Sequence, residues 1–253
     1  MAWSRKYDGP EPQRVNKWLA QQGMCSRREA EALIEQGLVS INGQRINDVG
    51  RKIEPGQTLT LNDKAQGQLG SAVTVVIHKP VGLVSAQPEG DQIPAARLIR
   101  ADTLFGKTDH IPGSRLSLAP LGRLDQDSRG LLILSEDGVL AKALIGPESP
   151  IDKEYLVAVK GRVNRDVISK LRHGLELDGR QLKPAKVTLE PDDRLKFILV
   201  EGRNRQIRRM CELVGLEVTD LLRVRIGPLR LGDLPEGQWR PMTAAERAAL
   251  LAA

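Results

Sequence analysis

The chain has 253 residues, enough for one large or two modest domains with a buried core. Apolar residues make up 40% and charged residues 28%, with 38 Lys and Arg against 32 Asp and Glu, as expected of a mildly basic globular chain with no apolar run near the roughly 18 residues of a membrane span. Two cysteines exclude a disulfide framework and leave a four-ligand zinc site dependent on three scattered histidines, while an aromatic content of 3% disfavours an RNA module built on rows of stacked rings.

Residues 1–11 mix Gly, Pro and charge without periodicity and read as a flexible tail; Asp8, Pro10, Glu11 and Pro12 stand where a signal peptide needs an apolar run. A reducing cytoplasm is therefore the expected compartment. Val15, Trp18 and Leu19 fall at i, i+3 and i+4, predicting a short amphipathic helix over 14–22 that Gly23 ends. Ser26 and Glu29 form a capping box that opens a second helix. Asn42-Gly43 between short β-prone runs predicts a type I′ hairpin, and a third strand is expected at 57–61. These elements make a compact module over residues 12–61, with 62–71 as a polar linker.

A second domain is expected over 72–246. It opens with a buried strand at 72–78, followed by a long loop with a short helix near 93–99. Strands are predicted at 130–135, 154–160, 183–189, 195–200, 216–226 and 228–234, and helices at 139–144, 164–173 and 204–214, with Thr243 and Glu246 capping a final Ala-rich helix. Strands outnumber helices and lack βαβ alternation, so the expected class is α+β with a mixed, mostly antiparallel sheet.

Chemistry concentrates in few places. Arg27 and Arg28 occupy the first turn of the second helix, where cations oppose the helix dipole unless an external anion is present; with Arg14, Lys17 and Arg45 they form a candidate RNA-backbone surface, or else a solvated face. Asp125 lies in the loop Gly122-Arg123-Leu124-Asp125 ahead of an apolar strand. Asp127, Glu136 and Asp137 follow closely, which suits turn formers and caps or, less conservatively, a metal-dependent nuclease. Tyr155 opens a strand after Lys153-Glu154. Arg203, Arg205, Arg208 and Arg209 crowd a short span, a density that calls for carboxylates or phosphates opposite.

The landmarks Arg14 to Leu19, Cys25-Ser26-Arg27-Arg28-Glu29-Ala30 and Val39-Ser40-Ile41-Asn42-Gly43 resemble the S4 RNA-binding domain. The later landmarks, Gly122 to Asp125 with Gly130 to Leu134, Lys153 to Val157 and Asn204 to Met210, resemble the pseudouridine synthases that carry an S4 domain and act on ribosomal RNA; His78 to Gly82 and Gly237 to Arg240 extend the likeness. The resemblance implies isomerisation of a uridine after the base is flipped out. It makes Asp125 the catalytic carboxylate, Tyr155 the ring packed on the target base and Arg208 the guanidinium partner of Asp125. Arg205, Gln206 and Arg209 would then shape the cleft and contact RNA, and Arg123 would join them in binding it. It also implies ribosomal RNA as partner, 23S in preference to 16S, and no cofactor or metal; the sequence itself, with no long apolar run and no feature that demands a dimer, sets the expectation of no membrane partner and a monomer.

A non-catalytic ribosome-assembly clamp on the same fold is the alternative. Residues 86–120 look longer than is usual in that family and carry no assigned role. No Lys-rich tail follows residue 253, so RNA affinity is expected to rest on the two folded domains.

Overall fold

A computed structural model describes residues 2–113 and 118–253. It forms two compact units, Met1–Thr74 with Ser135–Lys142, and Val75–Leu134 with Ala143–Ala253.

The first unit is a four-stranded antiparallel sheet with helices. β1 (Trp3–Lys6), α1 (Val15–Gln21), α2 (Arg27–Glu35), β2 (Val39–Ile41), β3 (Gln44–Ile46), β4 (Thr58–Leu61) and α3 (Asp63–Gly70) follow in sequence, and the sheet order is β1-β4-β2-β3. Val15, Trp18 and Leu19 are buried as their spacing predicts, and Ala30, Leu33 and Ile34 of α2 join them in one core. The α2 capping box is closed: Ser26 Oγ accepts from Glu29 N at 3.2 Å and Glu29 Oε2 accepts from Ser26 N at 2.6 Å. Asn42 and Gly43 take φ of 49° and 80°, the pair of positive values a type I′ turn requires.

Two expectations fail here. The expected tail over residues 1–11, of which residue 1 lies outside the described residues, is not a tail from Trp3 on, because β1 pairs with β4 and Tyr7 is buried edge-on to Trp18 at 5.5 Å. Arg5 and Lys6 are exposed on this edge strand, and such charged edges carry no apolar alternation to read. Residues 62–71 are not a linker either: Asn62 Oδ1 accepts from Ala65 N and caps α3, which buries Ala65 and packs Leu69 on the core. Gly67 and Gly70 hide that helix from a propensity reading.

The second unit is built on a nine-stranded sheet. In chain order come β5 (Thr74–Lys79), β6 (Arg129–Ser135), α4 (Gly138–Ile145, whose first residues belong to the first unit), β7 (Lys153–Lys160), α5 (Arg165–Arg172), β8 (Lys186–Leu189), β9 (Leu195–Leu199), α6 (Gln206–Leu213), β10 (Glu217–Ile226), β11 (Trp239–Pro241) and α7 (Ala244–Ala252). The main path runs β8-β9-β7-β10-β6-β5-β11, and the short strands Ala119–Pro120 and Leu229–Arg230 pair with β6 and β10. Pairing is antiparallel at β8-β9, β9-β7, β7-β10 and β5-β11 and parallel at β10-β6, so the class is α+β with a mixed sheet. Ile207, Met210 and Cys211 of α6 are buried with Val157, Phe197 and Leu221.

The long stretch after β5 holds two single 3-10 turns, Ala95–Leu98 and Ala101–Thr103, the first replacing the short helix expected near 93–99; residues 114–117 of the expected loop lie outside the described residues. The register of the sheet positions the site. Tyr155 sits between Phe197 of β9 and Arg223 of β10, with a bulge between Glu154 and Tyr155, and Arg223 in turn faces Gly130 of β6.

Gly130 has φ +112°, and a Cβ there would lie 2.3 Å from the Arg223 carbonyl oxygen. Gly130→Ala is expected to lower stability by roughly 2–4 kcal/mol, read as a fall in the urea midpoint of the second unit. Gly67→Ala, in open space within α3, should instead be neutral or stabilise the first unit by about 0.5–1 kcal/mol.

Candidate active site

The loop Gly122 to Ser128 leads into β6 and is tethered along most of its length. Arg223, only 2% exposed, donates from Nη2 to Gly122 O (3.2 Å), from Nη1 to Arg123 O (3.3 Å) and from Nε to Leu131 O (2.7 Å). Buried Ser85 holds the next residue from both sides, its hydroxyl donating to Leu124 O at 2.7 Å and accepting from Leu124 N at 2.8 Å. Gly82 N donates to Gln126 O, and Gln126 Nε2 donates back to Gly82 O. Arg208 Nη2 donates to Asp127 O at 2.7 Å, and Ser128 N closes a turn on Asp125 O. A loop fixed in this way presents its side chains with little conformational freedom left to lose on binding.

The turn that supplies Gly82 is itself held by Lys79. This lysine is fully buried, and its ammonium donates to Pro80 O and Leu83 O at 2.9 and 2.7 Å. Burial pulls its pKa down to about 8; the negative charges of Asp125 and Asp127 oppose that fall.

The two loop carboxylates have different fates. Asp127 takes Arg205 bidentately (3.1 and 2.9 Å), and Arg208 Nε lies 3.2 Å from its Oδ2, an ion pair whose angle leaves Nε without a proper hydrogen bond. Burial alone would raise the Asp127 pKa, but hydrogen bonds from Arg205 and the charges of Arg208 and Arg205 outweigh it and hold the carboxyl below its ordinary range. Asp125, half-buried, accepts no hydrogen bond at its carboxylate among the described residues; its nearest cation is Arg205 Nη1 at 3.9 Å. It opens on a cavity also lined by Arg123, Tyr155, Ile207, Arg205 and Arg208.

The expected Arg208–Asp125 pair is therefore corrected. Arg208 is 8% exposed, and its guanidinium is held by Asp127, Val218 O and Ser128, whereas Arg205 approaches Asp125. Arg205 caps α6 in the left-handed region at φ 49°, a strained backbone for a non-glycine residue that its bidentate grip on Asp127 helps hold. Gln206 is corrected too: it is 4% exposed, with Oε1 accepting from Arg203 N and Nε2 donating to Glu201, so it shapes the turn before α6 and does not offer a free contact.

Carboxylates do lie opposite the arginine cluster. Arg209 is bidentate to Asp178 (2.9 and 2.6 Å), while Arg203 grips the carbonyls of Leu177, Arg180 and Gln181 in the small hairpin of that region. Arg123 is exposed.

The metal-nuclease reading is not supported by these contacts. Asp127 is engaged by two arginines, and Asp137 Oδ1 accepts from Val139 N and Leu140 N at the start of α4. Among the described residues no cluster of three His, Cys, Asp or Glu side chains is placed to hold a metal ion.

In the first unit Arg14, Lys17, Arg27, Arg28 and Arg45 are all exposed. Arg45 borders a depression of the β2-β3 hairpin that also includes Arg51 and Asp48. Ser85, Lys79 and Arg223 are the supporting residues that the sequence reading missed. A lone arginine in the apolar run Leu221-Leu222-Arg223-Val224 was the available signal.

Comparison with known proteins agrees with this architecture. Residues 13–59 match the S4 domain and residues 73–213 match the RNA pseudouridylate synthase family. The chain is 35% identical over 235 residues to the dual-specificity RNA pseudouridine synthase RluF of Escherichia coli K12, covering 92% of this chain and 76% of the relative. It is 33% identical over 240 residues to ribosomal large subunit pseudouridine synthase B of Bacillus subtilis, covering 92% and 93%. A crystal structure of a pseudouridylate synthase superposes with a TM-score of 0.63 at 26% identity, over 94% of this chain and 99% of the other. The chain belongs to the RNA pseudouridine synthases that carry an S4 domain, enzymes that isomerise uridine to pseudouridine in RNA.

Proposed function

We propose that the substrate is a uridine of the large-subunit ribosomal RNA, 23S in bacterial terms, and that the reaction centres on Asp125 in a monomer acting in the cytoplasm. The observation that carries the assignment is the contrast between the two loop carboxylates: Asp127 is enclosed by Arg205 and Arg208, while Asp125 stands unbonded at the cavity that Tyr155 and Arg205 also line. The names of the relatives, large-subunit and dual-specificity RNA enzymes, support the choice of RNA.

In this reading the uridine leaves its stack at a cost of a few kcal/mol, and the flat ring of Tyr155 replaces part of the lost contact. The N1–C1′ bond breaks, the uracil turns within the cavity, and C5 bonds to the same sugar carbon, with the C5 proton released and N1 protonated. Asp125 serves this as an ionised carboxylate, either attacking C1′ or removing a proton from the sugar. Arg205, 3.9 Å from Asp125, and Lys79 behind the loop place positive charge on the carboxylate's side of the cavity. Arg208 acts on the loop and not directly on Asp125, tying α6 to Asp127. Arg14, Lys17, Arg27, Arg28 and Arg45 of the S4 domain, with Arg123 at the cavity, hold RNA phosphates, while Arg209 is engaged by Asp178.

Three outcomes are expected. Asp125→Asn, incubated with an unmodified large-subunit transcript in EDTA, should lose pseudouridine formation by about 10³-fold or more while RNA affinity stays within about threefold; product at the wild-type rate contradicts the role. Replacing Arg27 and Arg28 together by Ala should flatten the log–log salt dependence of RNA binding by about two units, and an unchanged slope removes those contacts. The kcat profile should fall as pH rises through about 8, where Lys79 loses the charge that faces Asp125, Asp127, Arg223 and Glu236. A profile flat to well above that value would show that this charge plays no part.

A further inference from the structure

A second cavity of the same unit shares Arg123, Tyr155, Glu201 and Gly202 with the first. The charged groups it adds are all cations: Lys153, Lys183 and Arg223. Among the described residues neither these three nor Arg123 form a salt bridge, and the one acidic side chain in the lining is already engaged. Glu201 accepts from Lys183 N at 3.0 Å and from Gln206 Nε2 at 2.9 Å, with Arg203 Nε at 3.7 Å.

Arg223 is the telling member. It is 2% exposed and all its hydrogen bonds go to carbonyl oxygens, so a full positive charge is withdrawn from water without a counter-charge. Lys153 is half-buried and donates only to Ile151 O and Leu144 O; burial and then the charge of Arg223 depress its pKa, against the opposing charge of Asp152. A buried, a half-buried and an exposed cation thus line one cavity whose single acidic side chain is already engaged, and a monoanionic group with several acceptor oxygens suits their combined charge.

We propose that this second cavity receives a phosphodiester group of the RNA strand adjoining the nucleotide whose base enters the first cavity, a reading that rests on the RNA-modifying function above. Tyr155 and Arg123 form the shared wall, so base and backbone are received on its two sides. Lys183 is exposed, and its ammonium makes no hydrogen bond among the described residues, so it can be changed without disturbing the loop.

The test is Lys183→Ala in the full chain, with Lys183→Arg as the conservative control. Lys183→Ala should flatten the salt dependence of RNA binding by about one unit and raise KM for the transcript roughly 3- to 10-fold while kcat stays within about twofold; Lys183→Arg should restore both. Once the modified uridine is mapped with the wild type, a neutral methylphosphonate is placed at each flanking linkage in turn. At one linkage the variant should show no loss beyond that of the wild type.

An unchanged slope and KM, or additive losses at every flanking linkage, overturns the proposal. Should the wild type form no pseudouridine in the transcript, the substrate assignment fails, and the salt slope alone still decides whether the cavity meets a phosphate.

Discussion

The whole site depends on a buried arginine meeting backbone carbonyls. Arg223 stands in β10 beside Tyr155 and opposite Gly130, and its guanidinium reaches the carbonyls at the start of the Gly122 to Ser128 loop. The sheet register thus sets the separation between carboxylate loop and aromatic strand. Because Gly130 lacks a Cβ, β6 can close on β10 tightly enough for that reach. A guanidinium suits the task better than an ammonium, since its fixed fork addresses several carbonyls at once.

Around this centre the charges divide into those that build and those left open. Asp127, Arg208, Arg203 and Asp178 are engaged in holding the loop, α6 and the small hairpin together. Asp125 and Arg123 are not. Such a division is what electrostatic preorganisation requires: the supporting groups are satisfied before substrate arrives, and the free ones have their partner still to come. Arg205 belongs to both sets, anchored on Asp127 yet within 3.9 Å of Asp125.

Much of this was legible in the sequence, for identifiable reasons. Both capping boxes, the Asn42-Gly43 turn and the buried face of α6 follow local rules, and the structure shows each in place. Asp125, Tyr155 and Arg208 were singled out by resemblance, and the structure brings them to one cavity. What was not legible depends on partners distant in sequence. Which arginine faces which aspartate is set by the turn before α6, where Gln206 folds back on Arg203 and Arg205 adopts a left-handed backbone. The burial of Lys79 and the doubled hydrogen bond of Ser85 belong to the same class, since a lysine at a strand end and a serine in a loop both read as surface residues. β1 was missed because an edge strand with exposed charges has no pattern, and α3 because its glycines argue against a helix.

The parallel join of β6 to β10 has a consequence for how the enzyme acquires activity. The loop bearing Asp125 and the strand that fastens it are 100 residues apart along the chain at the Arg223–Arg123 contact. Closing so wide a gap carries an entropic cost that local helices and hairpins avoid, and contacts of that kind tend to form late. A nascent chain still emerging from the ribosome, with β10 not yet synthesised, lacks the fastening that shapes the pocket. Competence to modify RNA therefore arrives with the last large strand of the sheet and not gradually during synthesis.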